Sequence, residues 1–336
     1  LEKILFHFFK RTANLRQSLF SNNTFGQKYL IISKMKLVEV GTVAFDAIET
    51  PFGKTDKIIG GAATYIGLAA SFFIEKSGLI SVIGEDFPSE YIDSLKKKGI
   101  DTTGLEVIPG GKSFFWSGKY HDNMNSRDTL ITELNVLEHF DPKVPEVYQG
   151  CEFLMLGNLS PQVQGKVLDQ LTTRPKLVAL DTMNFWMDIA MEDLKAVIKR
   201  IDLLIINDEE ARQLSGEYSL NQAAQKIMEL GPKNLIIKKG EHGALVYHED
   251  GLFSAPAVVL DTVKDPTGAG DTFAGGIMGY LASKGDVNFS TLKQAVLAGS
   301  ALASFTCEAF GTDRLFEITR EDIDIRISEI KELIKI

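Results

Sequence analysis

From residue 35 onward, short runs of β-branched and leucine residues alternate with segments whose apolar residues recur every three or four positions. Strand-sized runs fall at 36–40, 79–83, 152–156, 177–180, 203–206 and 235–238. Between and after them come amphipathic helical patterns: Met191, Leu194, Val197, Ile198 and Ile201; Ala223, Ala224, Ile227, Met228 and Leu230; and Ile323, Ile327, Ile330 and Ile334. A strict period of three to four residues is the mark of a helix with one buried face. Strand–helix alternation of this kind builds βαβ units, hence an α/β fold with a mostly parallel sheet covered on both faces.

Two stretches break the rhythm. Residues 42–59 and 104–137 show no helical period. The second reads as three strands, Leu105–Ile108, Ser113–Tyr120 and Thr129–Val136, with a polar turn at His121–Ser126. Together the two stretches predict a small antiparallel sheet inserted beside the main one. It would be either a lid over a ligand crevice or a decoration. Trp116 and Tyr120 sit at i and i+4 on one strand face, which reads as strand packing before ligand stacking.

The chain has 336 residues and a net charge of -9. The length suits one large α/β domain or two small ones. The acidic balance argues against nucleic acid or an anionic membrane as the main partner, since both demand a basic face. Cys151 and Cys307 are far apart and belong to no metal-ligand spacing. They read as reduced thiols of a cytoplasmic protein. No apolar run reaches the ~18 residues that would span a bilayer. Residues 1–34 differ in character, with Lys3, Lys10, Arg11, Arg16, Lys28 and Lys34 against the single acid Glu2. They read as a non-domain extension, either a presequence or sequence upstream of a true start at Met35, with the second favoured and the domain running 35–336.

The segment Asp265-Pro266-Thr267-Gly268-Ala269-Gly270-Asp271-Thr272-Phe273-Ala274-Gly275-Gly276 carries the strongest chemical signal. Pro and Gly make a tight turn, and a helix of small residues follows. Free backbone N–H groups at a helix N-terminus attract an anion, because orphan amides and the helix dipole act together. Asp271 would stand at the mouth of that site, able to take a proton from an attacking hydroxyl. The plainer reading is a Gly-rich turn with Asp271 as a helix cap. Gly110-Gly111-Lys112-Ser113 imitates the tail of a P-loop, but Glu106 stands where that motif needs Gly, and the segment opens no helix.

The segment Asp265–Gly276 resembles the C-terminal signature of the PfkB carbohydrate kinases, the ribokinase-like family. Three further pieces follow the family's order. Gly60-Gly61-Ala62-Ala63-Thr64 resembles its double-glycine motif, Asn207-Asp208-Glu209-Glu210 its Asn-x-x-Glu motif, and Lys239-Gly240-Glu241-His242-Gly243 its G-x-x-G turn. The resemblance spans 36 to about 334. It implies a ribokinase-like three-layer sandwich with a β-sheet lid, and transfer of the γ-phosphoryl of ATP to a hydroxyl of a sugar-like molecule. Asp271 matches the base, and the amides of Gly268, Ala269 and Gly270 match the anion hole. Asn207 and Glu210 match the pair that organises Mg2+ through water. Asp46, Gly60, Gly61 and Thr64 fall in the acceptor site, and Lys239, Gly240 and Gly243 in the nucleotide site. Asp265 and Thr267 match positions lining a monovalent-cation (K+) site in some members. The lid often doubles as a homodimer interface in the family.

The chain also departs from the pattern. Thr64, followed by Tyr65, stands where many members place an Asn that contacts the sugar, which argues against ribose or fructose 6-phosphate as acceptor. Asp181-Thr182-Met183-Asn184-Phe185-Trp186 resembles a sugar-acid kinase segment but with altered spacing and no Arg, so a carboxylated acceptor is not indicated. Asn158, after a strand end, has a minor expected place in the crevice. A nucleoside kinase is the rival enzyme, with Phe114, Phe115 and Trp116 able to form a slot for a base. A non-catalytic sugar or nucleotide sensor is the rival from another class, and the intact Asp271 and loop speak against it.

Overall fold

The computed structural model describes residues 34–335. Apart from Lys34, the N-terminal extension therefore lies outside the described residues. β1 (Leu37–Val40) starts the main sheet. The chain then leaves it for β2 (Ala44–Thr50), β3 (Gly53–Lys54) and β4 (Ile58–Gly60). It returns through α1 (Ala62–Ala70), β5 (Ser77–Gly84), α2 (Ser89–Lys97) and β6 (Ile100–Ile108), and leaves again for β7 (Phe115–Tyr120) and β8 (Arg127–Glu133). Alternation resumes with β9 (Phe153–Leu156), α3 (Pro161–Gln170), β10 (Leu177–Asp181), α4 (Asn184–Ile189), α5 (Met191–Ile198), β11 (Leu203–Asn207), α6 (Asp208–Ser215), α7 (Leu220–Glu229) and β12 (Asn234–Lys238). A hairpin, β13 (Ala244–His248) and β14 (Gly251–Ala255), precedes the closing helices α8 (Ala269–Lys284), α9 (Phe289–Thr306), α10 (Asp313–Glu317) and α11 (Arg320–Leu333).

The main sheet has nine strands in the order β14-β13-β12-β11-β10-β9-β1-β5-β6. Pairing is parallel from β6 through β12 and antiparallel between β12 and β13 and between β13 and β14. Side chains alternate across it. Leu37, Leu79, Leu203 and Ile236 pack with Ile66 of α1, Ile277 of α8 and Leu302 of α9. Val38, Ile80, Leu204 and Ile237 pack on the other face with Val167 of α3, Val197 of α5 and Ile227 of α7. Each such side chain withdrawn from water contributes roughly 1.5–3 kcal/mol before conformational entropy is counted. These are the three layers of the expected α/β sandwich.

A second sheet of five strands stands apart, ordered β3-β2-β7-β8 with β4 paired to β2. Three details differ from the expectation. Residues 105–108 belong to β6 at the edge of the main sheet, where Leu105 pairs with Ser81. Strand periodicity records a pleat and carries no label for the sheet that receives it. The small sheet is mixed, because β2 and β7 run parallel. Its last strand ends at Glu133, and a 3-10 turn covers Asn135–His139. The polar turn closes as expected, with His121 N–H donating to Ser126 O at 3.0 Å.

Candidate active site

Strand order reverses at β1: the chain steps one way to β5 and β6, and the other way through β9 to β14. Ligands of parallel sheets bind where such a reversal opens a crevice at the strands' C-terminal ends. Asp181, Asn207 and Lys238 are the last residues of β10, β11 and β12, so all three stand on that edge. The loop 265–268 feeds α8 from the same side.

Gly268 caps α8 with φ 75°, a left-handed conformation that glycine adopts without strain. A Cβ there would also collide with the Tyr65 ring, which packs under the turn. Thr272 N–H donates to Gly268 O at 2.8 Å and starts the helix. Ala269 differs from the expectation: its N–H donates to Pro266 O at 3.1 Å. Among the described residues the N–H groups of Gly268 and Gly270 have no backbone acceptor, so these two remain for an anion.

The Asp265 carboxylate is fully buried and accepts from Thr267 N–H at 2.9 Å and Gly311 N–H at 3.4 Å. Thr267 Oγ1 in turn donates to Tyr120 Oη at 3.1 Å, tying the lid to the loop. Both side chains thus help to shape the turn, while each of their oxygens keeps a lone pair beyond these bonds.

Asp46 sits on β2 of the small sheet and is almost fully buried. Gly60, its neighbour on β4, has no side chain because one would collide with the Asp46 carboxylate. Gly61 is the N-cap of α1. Burial, with Asp265 and Asp271 nearby, pushes the Asp46 carboxyl up to about 7, while Arg127 pulls it down. Asp271 is also raised, first by burial and then by Asp181, against the pull of Lys238 and Arg127. Asp46 in the lid and Asp271 in the body therefore share one electrostatic environment.

Lys238 and Asp181 form an ion pair at 2.9 Å with little exposure of either side chain. Burial disfavours the ammonium, but Asp181 and Glu210 outweigh it and its pKa ends above the usual value. Asn207 and Glu210 make a reciprocal capping box on α6: Glu210 N–H donates to Asn207 Oδ1 at 2.8 Å, and Asn207 N–H to Glu210 Oε2 at 2.7 Å. The motif spacing thus serves the helix start first, and Glu210 Oε1 remains free of these bonds. Burial raises the Glu210 carboxyl; Lys238 opposes. Glu209, one residue before, is exposed.

The remaining expected residues are less central. Lys239 opens a 3-10 turn over Gly240–His242, closed by Lys239 N–H donating to Gly243 O at 2.8 Å. The lid hairpin reaches this turn: Asn125 Oδ1 lies 2.8 Å from where a Gly240 side chain would start. Thr64 is buried with its hydroxyl unpartnered, and Tyr65 beside it makes the contact with Gly268. Asn158 accepts from Trp186 Nε1 at 2.8 Å and donates to Met183 Sδ at 3.1 Å, bracing the segment after β10.

Sequence reasoning missed Asp181 as a site residue, Lys238 and Arg127. Strand parity was the available signal for the first two. Asp181 shares a face with Leu177 and Ala179, and Lys238 shares one with Ile236, the face that packs against α8. Arg127 gave no local signal; it faces the site because it pairs with Tyr120 across the lid ladder.

Residues 36–318 match the sequence profile of the pfkB family carbohydrate kinases. A cytidine kinase of Thermococcus kodakarensis is 32% identical over 254 residues, covering 73% of this chain and 88% of that protein. A nucleoside kinase of Methanothermobacter thermautotrophicus is 25% identical over 305 residues, 85% of this chain and 94% of the relative. Among solved structures, the Methanocaldococcus jannaschii nucleoside kinase, an archaeal member of the ribokinase family, superposes with a TM-score of 0.71 at 23% identity, over 88% of this chain and 99% of that one. That likeness gives the fold its name, ribokinase-like. With a matched profile across most of its length and the motif loops gathered at one sheet edge, the chain belongs to the pfkB family of carbohydrate kinases.

Proposed function

We propose that the protein transfers the γ-phosphoryl group of ATP to a hydroxyl of a neutral sugar, free or as part of a larger molecule. The observation that carries this reading is the meeting of Asp46, from the lid, with Asp271 and the free amides of Gly268 and Gly270 at the N-terminus of α8. Asp46 holds the acceptor through its hydroxyls. Asp271 takes the proton of the reacting hydroxyl as its oxygen bonds to the γ-phosphorus. The bond from that phosphorus to the bridging oxygen breaks, and its electron pair leaves with ADP. Positioning and charge neutralisation do most of the work in such a transfer.

The family's kinases use ATP with a divalent metal. Among the described residues no cluster of three or more His, Cys, Asp and Glu side chains could cage one directly. The capping box leaves Glu210 one free carboxylate oxygen, which suits a cation held through water and by the nucleotide's phosphates, as Mg2+ prefers. When bound, Mg2+ neutralises part of the β- and γ-phosphate charge. Any K+ beside Asp265 and Thr267 would be held by their remaining side-chain lone pairs together with backbone oxygens. We assign the nucleotide to the side of the Lys239–Gly243 turn and the acceptor to the side of β2 and β4, in a cytoplasmic enzyme.

A nucleoside acceptor is the second reading. It is favoured by Trp116, which stands in register with Asp46 on the parallel β2–β7 ladder and so shares its lid face. The relatives named cytidine and nucleoside kinases point the same way. The test is ATP consumption across sugars, polyols, sugar phosphates and nucleosides. A nucleoside preferred tenfold or more over its free sugar in kcat/KM selects the second reading. Absence of phosphorylation across all four classes overturns both.

A further inference from the structure

We infer that Lys238 is a catalytic residue, the charged member of the anion hole, contacting the phosphates of ATP during transfer. This deepens the reading above and rests on it. The ammonium ends a buried strand and is fixed by Asp181 at 2.9 Å. It has three N–H groups, and Asp181 is its only hydrogen-bond partner among the described residues. Two donors are thus left over at a position where the side chain is only 18% exposed.

The direction in which it points identifies their purpose. Lys238 Nζ lies 3.1 Å from where a Cβ of Gly270 would be. The bare side of Gly270 is therefore the slot into which the ammonium fits, next to the unpaired Gly268 and Gly270 amides. Two dipolar donors and a full positive charge converge at one helix N-terminus. An anion entering it meets all three, and in a site shielded from water such donors act far more strongly than on a surface.

A structural ion pair is the competing account, and it explains less. Burying two charges gains little net stability over an apolar pair of similar size. It also leaves the adjacent glycine and the two free N–H groups without a reason. Asp181 anchors the lysine from below the site and raises its pKa, keeping it charged. Lys238 is on β12, directly before the Lys239–Gly243 turn, so it approaches from the nucleotide side of Asp271. That places it on the β- and γ-phosphate oxygens, where charge accumulates as the bond to ADP breaks.

Two experiments on the full chain test this. The first uses the wild-type protein and an acyl phosphate of ATP, in which the acyl group sits on the γ-phosphate. A lysine within reach gives up a proton to water and attacks the acyl carbon; the C–O bond to the γ-phosphate breaks, a second proton is lost, an amide forms, and ATP leaves. Mass spectrometry should find Lys238 acylated and protected by excess ATP. Acylation of Lys239 without Lys238 overturns the inference while leaving the nucleotide assignment in place. No ATP-protected lysine at all overturns the nucleotide assignment with it.

The second is steady-state kinetics on the best acceptor from the screen. Lys238→Met should lower kcat by ~10²–10³-fold, the usual loss for a donor of this kind, with acceptor KM within about threefold. Because that variant strands Asp181, the double variant Lys238→Met with Asp181→Leu is measured beside it. It should melt near the wild-type temperature and stay slow. A folded double variant with near-normal kcat assigns the pair to structure alone.

Discussion

At Asp271 two opposing influences are balanced within one carboxyl group. Burial and Asp181 favour its neutral form, while Lys238 and Arg127 favour the ionised form that can accept a proton. Asp271→Asn should leave the fold and ATP affinity nearly intact and lower kcat by ~10²–10⁴, the range for a lost general base. In the wild type the acid limb of kcat/KM should lie above the ordinary carboxylate range, because activity needs Asp271 deprotonated. Glu39 offers a separate test, of stability. It lies in β1, fully buried, with Ser77 Oγ donating to Oε1 at 2.9 Å and Oε2 without a partner. Burial raises its pKa to about 8, from 4.5. The folded state thus holds a proton that the unfolded chain has already lost at neutral pH. Stability is fully present below 4.5 and declines as pH rises toward 8, by up to roughly 1.4 kcal/mol per unit. Urea unfolding at pH 5.5 and pH 8 should show a larger fall for wild type than for Glu39→Gln.

At the scale of elements, α6 and the lid each deliver charge to the same point. Neighbouring residues on a helix point about 100° apart, and the register of α6 buries Glu210 while exposing Glu209. In a Mg2+ titration of activity, Glu210→Gln should need several-fold more Mg2+ for half-maximal rate, and Glu209→Gln should match wild type. Equal curves for the three proteins would reduce the capping box to a helix start. On the lid, Arg127 lowers the pKa of Asp46, Glu210 and Asp271 at once, so Arg127→Gln should move the acid limb of kcat/KM to higher pH. The parallel core, the anion turn and the α6 start were legible in the sequence because each depends on residues within a few positions of one another. Lys238 and Asp181, 57 residues apart, were not: their pairing depends on β10 and β12 flanking β11, which no local pattern encodes. The lid's membership was half legible for the same reason, since β6 has a strand pattern whichever sheet it joins.

For the molecule as a whole, β8 is the outer strand of the small sheet and exposes Leu130 (54%) and Ile131 (48%). An open, apolar edge invites pairing with another strand, and a second copy of the chain is the expected occupant. Light scattering behind a sizing column should give a dimer mass, reduced to a monomer by Leu130→Glu with Ile131→Glu. A wild-type monomer at micromolar concentration removes the idea. The two acids of the proposed active site belong to different parts of the molecule: Asp46 lies on β2 of the small sheet and Asp271 in the first turn of α8. A molecule that is to react must therefore touch both halves, like a key needed in two locks at once. A water molecule, with its single oxygen, cannot fill the proposed acceptor site as a sugar bearing several hydroxyls does. On the proposed reading the protein would thereby limit idle hydrolysis of ATP by requiring contact with two separate elements, with no need for either to recognise water and reject it.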